Sequence, residues 1–314
     1  MGLQFRRREV MVKRRVDWSG AFVVMVTPFR EDGALDEPAT RQLIDTLVDE
    51  GVDGIVVAGS TGEWFTMSDD ERIDLFRIAA DQNRRRVTLL AGSSAIATRS
   101  AVTVTAAAKR YGLDGTLILP PPYVLPTERE LLAYFEAVDA VGLPMMLYNN
   151  PTRTGINLDA RLLSKLLNFE HIVALKDSAK DLGQISMTLR AHRDELAIFT
   201  GFESYVSPCL QRGAVGVVAM TPNILGREAV NLFRFASDGD AKKLAVVQEK
   251  IDRVYDRMYG WQYNPYVVIK EAMRIMGRPG GWPRPPLLSL PPGDRHVLED
   301  FLRDIGAISQ SNRY

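Results

Sequence analysis

Lys176 closes the apolar run Ile172-Val173-Ala174-Leu175 and is followed by Asp177 and Ser178. A β-branched run of this kind, stopped by a charge, predicts a buried strand of a parallel sheet. In α/β barrels the carboxyl ends of such strands carry the chemistry. A lysine at that place has two uses. One is structural, an ion pair with a neighbour such as Asp177. The other is nucleophilic: desolvation favours the neutral form of a lysine, and a neutral amine can add to a carbonyl carbon to give a Schiff base.

Other segments that could serve this chemistry also follow apolar runs. Gly59-Ser60-Thr61-Gly62-Glu63 brackets two hydroxyl residues with glycines, which suits a tight turn presenting N–H and hydroxyl donors to a small carboxylate. It lacks the lysine of a phosphate-binding loop and the spacing of a serine-hydrolase elbow. A capped β–α loop is its structural alternative. Tyr148 ends another run and could exchange a proton with an intermediate on the lysine, and Arg153, five residues on, could clamp a second carboxylate. Pro120-Pro121-Pro122 stiffens the segment that presents Tyr123. Gly201-Phe202-Glu203 and Val217-Val218-Ala219 close the set, the two valines reading as barrel filling. His171 precedes its strand, His192 and His296 read as surface positions, and no pair has metal-ligand spacing.

The elements that must position these residues alternate along the chain. Strands are expected at 21–26, 54–58, 87–91, 115–119, 145–148, 172–175, 197–200 and 216–219. Amphipathic helices are expected at 37–50, 69–82, 98–111, 128–141, 159–167 and 181–190, with apolar residues such as Leu43, Leu47 and Val48 at helical spacing. Eight strand–helix units with right-handed crossovers predict a (β/α)8 TIM barrel. An open doubly wound sheet would be expected to carry G-x-G-x-x-G after its first strand, and none is there. Beyond residue 238 the alternation stops; helices are expected at 241–259, 265–276 and 294–305, with a Pro/Gly-rich connection at 277–292. The expected organisation is a loose extension over 1–17, a barrel over 18–238 and a C-terminal helical extension over 239–314.

The chain has 314 residues, with 39 basic and 39 acidic side chains, so neither nucleic acid nor a membrane surface is expected as a partner. No apolar run approaches membrane-spanning length. The basic start lacks the apolar core and cleavage site of a secretory signal. A single cysteine, Cys209, suits the cytoplasm and reads as a buried, inert thiol in a helix at 205–211.

Taken together, the order G-S-T-G-E, then Y-N-x-P, then K-D-S resembles the dihydrodipicolinate synthase / N-acetylneuraminate lyase family of Schiff-base aldolases, from Trp18 to the C-terminal helices. The resemblance implies a metal-independent lyase with no cofactor beyond the covalent Schiff base on Lys176. It acts on pyruvate or another 2-oxo acid together with an aldehyde or sugar acid, and assembles as a homotetramer built as a dimer of dimers. By resemblance, Ser60 and Thr61 hold the carboxylate, and Tyr148 transfers the proton. Tyr123 matches a relay tyrosine that reaches the neighbouring subunit's site, and Arg153 matches the arginine for the carboxylate of aspartate semialdehyde. Gly59, Gly201 and Val218 are counted with the substrate-contacting positions.

The chain also departs from the family pattern. The loop continues into bulky Trp64 and Phe65, closer to sugar-acid members; Pro122-Tyr123 replaces a tyrosine pair; and Phe202 stands where an acid or amide is usual. A 2-keto-3-deoxy sugar-acid aldolase or dehydratase, or an N-acetylneuraminate lyase-like enzyme, is therefore the alternative to dihydrodipicolinate synthase-like chemistry. A non-catalytic 2-oxo-acid sensor is the alternative of another class. Trp64, Asp69, Arg72, Ile96 and Ser100 occupy positions that differ in lysine-inhibited members, so lysine is expected not to inhibit.

Overall fold

The computed structural model describes residues 16–309; residues 1–15 of the expected N-terminal extension, and the last five residues of the chain, lie outside the described residues. Eight parallel strands close into a barrel in sequence order: β1 (Gly20–Val24), β2 (Gly54–Val57), β3 (Thr88–Gly92), β4 (Gly115–Ile118), β5 (Met145–Asn149), β6 (Ile172–Asp177), β7 (Ala197–Thr200) and β8 (Gly216–Ala219). The expected barrel is present, with strand ends shifted by one or two residues.

Two apolar layers hold it. Inside, Phe22, Val56, Leu90, Leu117, Met146, Phe199 and Val218 fill the barrel, with Phe22 and Phe199 at a ring separation of 5.0 Å. Outside, helices cover the strands. In the helix Glu37–Asp49, Leu43, Ile44 and Leu47 lie on one buried face, each worth roughly 1.5–3 kcal/mol in apolar burial. Asp36 caps that helix by accepting from the Ala39 N–H at 3.0 Å, a contribution of about 1 kcal/mol. Ser68 and Thr127 form capping boxes with Glu71 and Glu130 at the starts of Asp69–Asn83 and Glu128–Asp139.

The last barrel helix, Arg227–Asp238, ends at Gly239, whose φ of 71° suits a left-handed cap. The helices Ala241–Gly260, Pro265–Ile275 and Pro292–Asp304 follow and pack on the barrel. Nine residues of Pro265–Ile275 are buried, including Lys270 and Glu271. Arg284, in the connection after that helix, reaches over the barrel mouth: it donates to the Gly33 and Thr66 carbonyls, each at 3.0 Å, and pairs with Glu71 at 2.8 Å.

Two expectations about side chains need correction or detail. His192 is buried rather than at the surface, with its Nε2 2.9 Å from the Ala160 carbonyl; it sits on the inner face of Leu182–His192, a helix that runs past the expected end. Cys209 is buried in the helix Val206–Leu210, and burial pushes its thiol up to about 11. No helix among the described residues is long and apolar enough to cross a membrane.

Candidate active site at the barrel mouth

The position of Lys176 depends on a bulge. On β5, Met145, Leu147 and Asn149 face outward while Met146 and Tyr148 face in, the ordinary alternation of a strand. On β6 the pairing shifts: Ile172 is opposite Met145, but Ala174 is opposite Met146, leaving Val173 as an extra residue. One added residue reverses the facing of everything after it. Lys176 therefore pairs with Tyr148 on the inner face, and Asp177 pairs with Asn149 on the outer one.

This geometry bears on the two uses of the lysine. Asp177 points away from Lys176, accepting from the Ala179 N–H at 2.8 Å and from Asn149 Nδ2 at 3.3 Å. Burial raises its carboxyl above the usual range. Lys176 is 4% exposed, its Nζ lies 4.3 Å from the centroid of the Tyr148 ring, and among the described residues it forms no salt bridge. Gly201, at the end of β7, makes room for it. A Cβ there would stand 1.8 Å from Ser178 Oγ and 3.0 Å from Lys176 Cε.

Tyr148 is equally enclosed. Its hydroxyl accepts from Asn150 Nδ2 at 2.9 Å. Burial pushes the phenol up, but the Lys176 charge opposes this, aided by Asn150, Ser178 and Arg153, and the balance lies below the ordinary tyrosine value. Such a phenol can give and take a proton beside the amine.

A cavity of about 260 Å3 opens above these two groups. Ser60 and Thr61 line one wall, on a turn with Ala58 at φ 51° and Glu63 at φ 58°. The Thr27 hydroxyl holds the turn by donating to the Gly62 carbonyl at 2.7 Å. Gly92 permits β3 to approach, since a Cβ there would lie 2.0 Å from the Ala58 carbonyl oxygen. Arg153 reaches the cavity from the helical turn Pro151–Thr154, where a plain loop was expected, and sits 5.8 Å from the Tyr266 ring.

Three expected site residues lie elsewhere. Gly59 is not in the cavity wall; its lack of a side chain serves packing, because a Cβ would come 2.5 Å from Val24 Cγ1. Val218 is fully buried in the barrel filling below the cavity, opposite Phe22. Tyr123 is 88% exposed at φ 75° and does not line the cavity of its own chain.

The C-terminal helices supply what the strands do not. Tyr259 and Tyr266 both line the cavity. Burial pushes Tyr266 up to about 12, against the opposing influence of Arg153 and Ser60. Asn264 and Pro265 mark a helix start in the sequence, so Tyr266 could be placed on a first turn. Nothing local says that this turn faces the barrel mouth. Its placement comes from a buried ion pair between Lys270, one turn further along the helix, and Glu63 at the end of the serine–threonine turn. The Arg284 N–H also donates to Glu63, at 3.0 Å, and Lys270 donates to the Trp282 carbonyl at 2.8 Å. Among the described residues no three metal-ligating side chains converge.

A closed (β/α)8 barrel with a buried lysine and tyrosine paired at its carboxyl end has the layout of a barrel enzyme, whose chemistry sits at that end. Comparison with known proteins gives the family: the model of the dihydrodipicolinate synthetase family matches residues 17–305, and the chain belongs to that family. An uncharacterized DapA-like lyase of Rhizobium meliloti is 42% identical over 274 residues, covering 87% of this chain and 91% of the relative. The 4-hydroxy-tetrahydrodipicolinate synthase of Synechocystis is 35% identical, covering 90% of this chain and 94% of that protein. Among solved structures, dihydrodipicolinate synthase from Aquifex aeolicus superposes with a TM-score of 0.87 at 30% identity, over 94% of this chain and all of that one. YagE from E. coli K12, a family member solved with pyruvate, gives 0.87 at 30% identity, over 93% of this chain and all of its own. The protein is a lyase of this family.

Proposed function

We propose that this lyase forms a Schiff base between Lys176 and pyruvate or another 2-oxo acid, and joins or separates it from an aldehyde that carries a carboxylate, as in dihydrodipicolinate synthase-like chemistry with aspartate semialdehyde. The observation that carries the reading is the buried Lys176 amine, set against the Tyr148 ring, with Asp177 turned away from it and no salt bridge to a carboxylate among the described residues. The pyruvate in the YagE structure agrees with that choice of 2-oxo acid.

In this mechanism the amine adds to the ketone carbon, and Tyr148 returns a proton to the carbinolamine oxygen, which leaves as water. The protonated imine then acts as an electron sink. Loss of a proton from the adjacent carbon gives an enamine, which attacks the aldehyde carbon; the reverse sequence cleaves the same bond. Ser60 and Thr61 hold the 2-oxo acid's carboxylate, and Arg153 faces the second one. The reaction needs neither metal nor further cofactor. The protein works in the cytoplasm as a homotetramer, a dimer of dimers in which exposed Tyr123 enters the neighbouring site. The exposed Val124 and Leu125 beside it support such a contact.

A second reading, a 2-keto-3-deoxy sugar-acid aldolase or dehydratase, or an N-acetylneuraminate lyase-like enzyme, is favoured by Trp64 and Phe65. Their rings meet edge to face at 6.2 Å, with Phe65 6.4 Å from Tyr266. The test is borohydride reduction in the presence of pyruvate, read by intact mass, with Lys176→Ala as control. One reduced adduct per chain, absent from the variant, is expected; labelling that survives the substitution refutes the assignment. Turnover of an aldehyde panel then separates the two lyase readings from a sensor that binds without turnover.

A further inference from the structure

The polar wall of the cavity has one sign of charge. Arg153, Lys176 and Lys180 all line it, and among the described residues no aspartate or glutamate does. Lys176 is accounted for by the reading above and Arg153 by the family resemblance. Lys180, four residues beyond Lys176, is not.

Lys180 sits at φ 59°, in the left-handed region that glycine occupies most easily. Its carbonyl accepts from the Tyr205 hydroxyl at 3.2 Å, which holds the turn. From there the side chain extends so that Nζ lies 5.3 Å from the Phe202 ring and 5.2 Å from the Tyr259 ring. Two aromatic faces attract an ammonium without neutralising it. The neighbouring acids are otherwise engaged. Asp181 caps its own helix by accepting from the Gln184 N–H at 3.0 Å. Glu203 is buried and accepts from the Thr221 N–H and hydroxyl and from Tyr255. Asp256 shares the adjoining outer groove with Lys180 but makes no ion pair with it. Among the described residues neither Lys180 nor Arg153 forms a salt bridge.

Lys180 and Arg153 are both exposed at the cavity rim, where water can solvate them. It is therefore the placing of the Lys180 ammonium that points to an anionic ligand: two rings draw it to the edge of a cavity whose other charged groups are also cations. We propose that Lys180 is a specificity-determining residue which, with Arg153, clamps a carboxylate at the far end of the substrate, so that the site selects doubly charged 2-oxo acid adducts over singly charged ones. The inference rests on the Schiff-base reading for the near end of the substrate and adds the far end. Phe202, where the family usually has an acid or amide, belongs to the same arrangement: it removes a competing polar group and supports the ammonium with its ring.

The experiment compares 2-oxo acids of equal length that differ only in a terminal charge: 2-oxoadipate against 2-oxohexanoate, and 2-oxoglutarate against 2-oxopentanoate. Half-saturating concentrations for borohydride trapping are read by intact mass in the native protein and in Lys180→Met. The dicarboxylate of at least one pair is expected to trap at about tenfold lower concentration, and that ratio is expected to fall to near unity in Lys180→Met. A general folding defect would weaken both members of a pair and leave the ratio. Lys180→Gly is expected to lose the ratio as well while its melting temperature rises, because the turn is relieved. Equal trapping of both members in the native protein, or a preference that survives Lys180→Met, overturns the proposal. If pyruvate itself is not trapped, the Schiff-base reading is what has failed. Calorimetric titration of Lys176→Ala with the same pairs then decides the clamp on non-covalent affinity alone, by the same ratio.

Discussion

Among the described residues two lysines are buried, and their surroundings differ in one respect. Lys270, in the joint between the serine–threonine turn and the C-terminal helices, meets the carboxylate of Glu63, with both side chains fully buried. Lys176, at the mouth of the barrel, meets a phenol ring, a serine and a neighbouring glycine, and no carboxylate. A buried ammonium needs an anion or it becomes costly. The first site meets that need with Glu63; the second holds no such anion, and it is on this setting that the proposed Schiff-base chemistry relies. The two are also connected. The Glu63–Lys270 pair ties the turn bearing Ser60 and Thr61 to the helix bearing Tyr266, so the structural lysine shapes the cavity over the other one.

The comparison can be broken at either lysine. The largest effect is expected from Lys176→Ala, which should lower turnover on the order of 10⁴-fold or more and abolish imine trapping, with the melting temperature little changed. Lys270→Met should do the opposite: it strands a buried Glu63 and should cost about 3–5 kcal/mol in urea unfolding, while the folded fraction still traps pyruvate. If Lys270→Met kept full stability, the structural assignment of that pair would be wrong. Adding Glu63→Gln to it should recover much of the loss.

Tyr148→Phe should lower turnover by about 10²–10³-fold, while Lys176 remains able to form an adduct slowly, measured by single-turnover trapping.

A smaller effect is expected with pH. Burial pulls Lys270 down to about 8 from its ordinary value, against the opposing pull of Glu63. Between pH 8 and 10 the unfolded chain keeps the proton that the folded chain has released, so stability should rise with pH across that window. The Glu63→Gln, Lys270→Met double variant should lack the rise in chemical denaturation at each pH.

The smallest effect is a null one. Millimolar lysine should leave activity unchanged, because the corresponding region is filled by other contacts. Ser100 bonds Asp69 at 2.6 Å, and Arg72 is buried, with a hydrogen bond to the Gly92 carbonyl at 2.5 Å. A lysine titration that inhibits would sink this expectation.

Much of the site could be read along the chain. Periodicity found the barrel and all eight strands, because a parallel strand covered on both faces must be apolar and a covering helix must be amphipathic. The family motifs pointed to Ser60, Thr61, Tyr148, Arg153, Lys176 and Gly201, which the structure brings to one cavity. Gly59 and Val218 stand beside such residues in the sequence, yet the structure uses them for packing. Tyr259, Tyr266 and Lys180 were missed, since each reaches the cavity from a distant helix or through a left-handed turn that side-chain type does not announce. His192 was misplaced for a related reason: a polar residue at a helix end reads as exposed unless the neighbouring helix is known to cover it.

Residue order alone determined that a lysine would end a buried strand, because an apolar run can be recognised without knowing its neighbours. Order alone did not determine which way that lysine points. The run from Ile172 to Leu175 is apolar on both faces, so it carries no alternation to set the side. The facing was decided by pairing with β5, where Val173 is left over and the alternation beyond it is reversed. Hydrogen bonding between strands is a property of the closed sheet, and it is there that Lys176 was turned toward Tyr148 and Asp177 away from it.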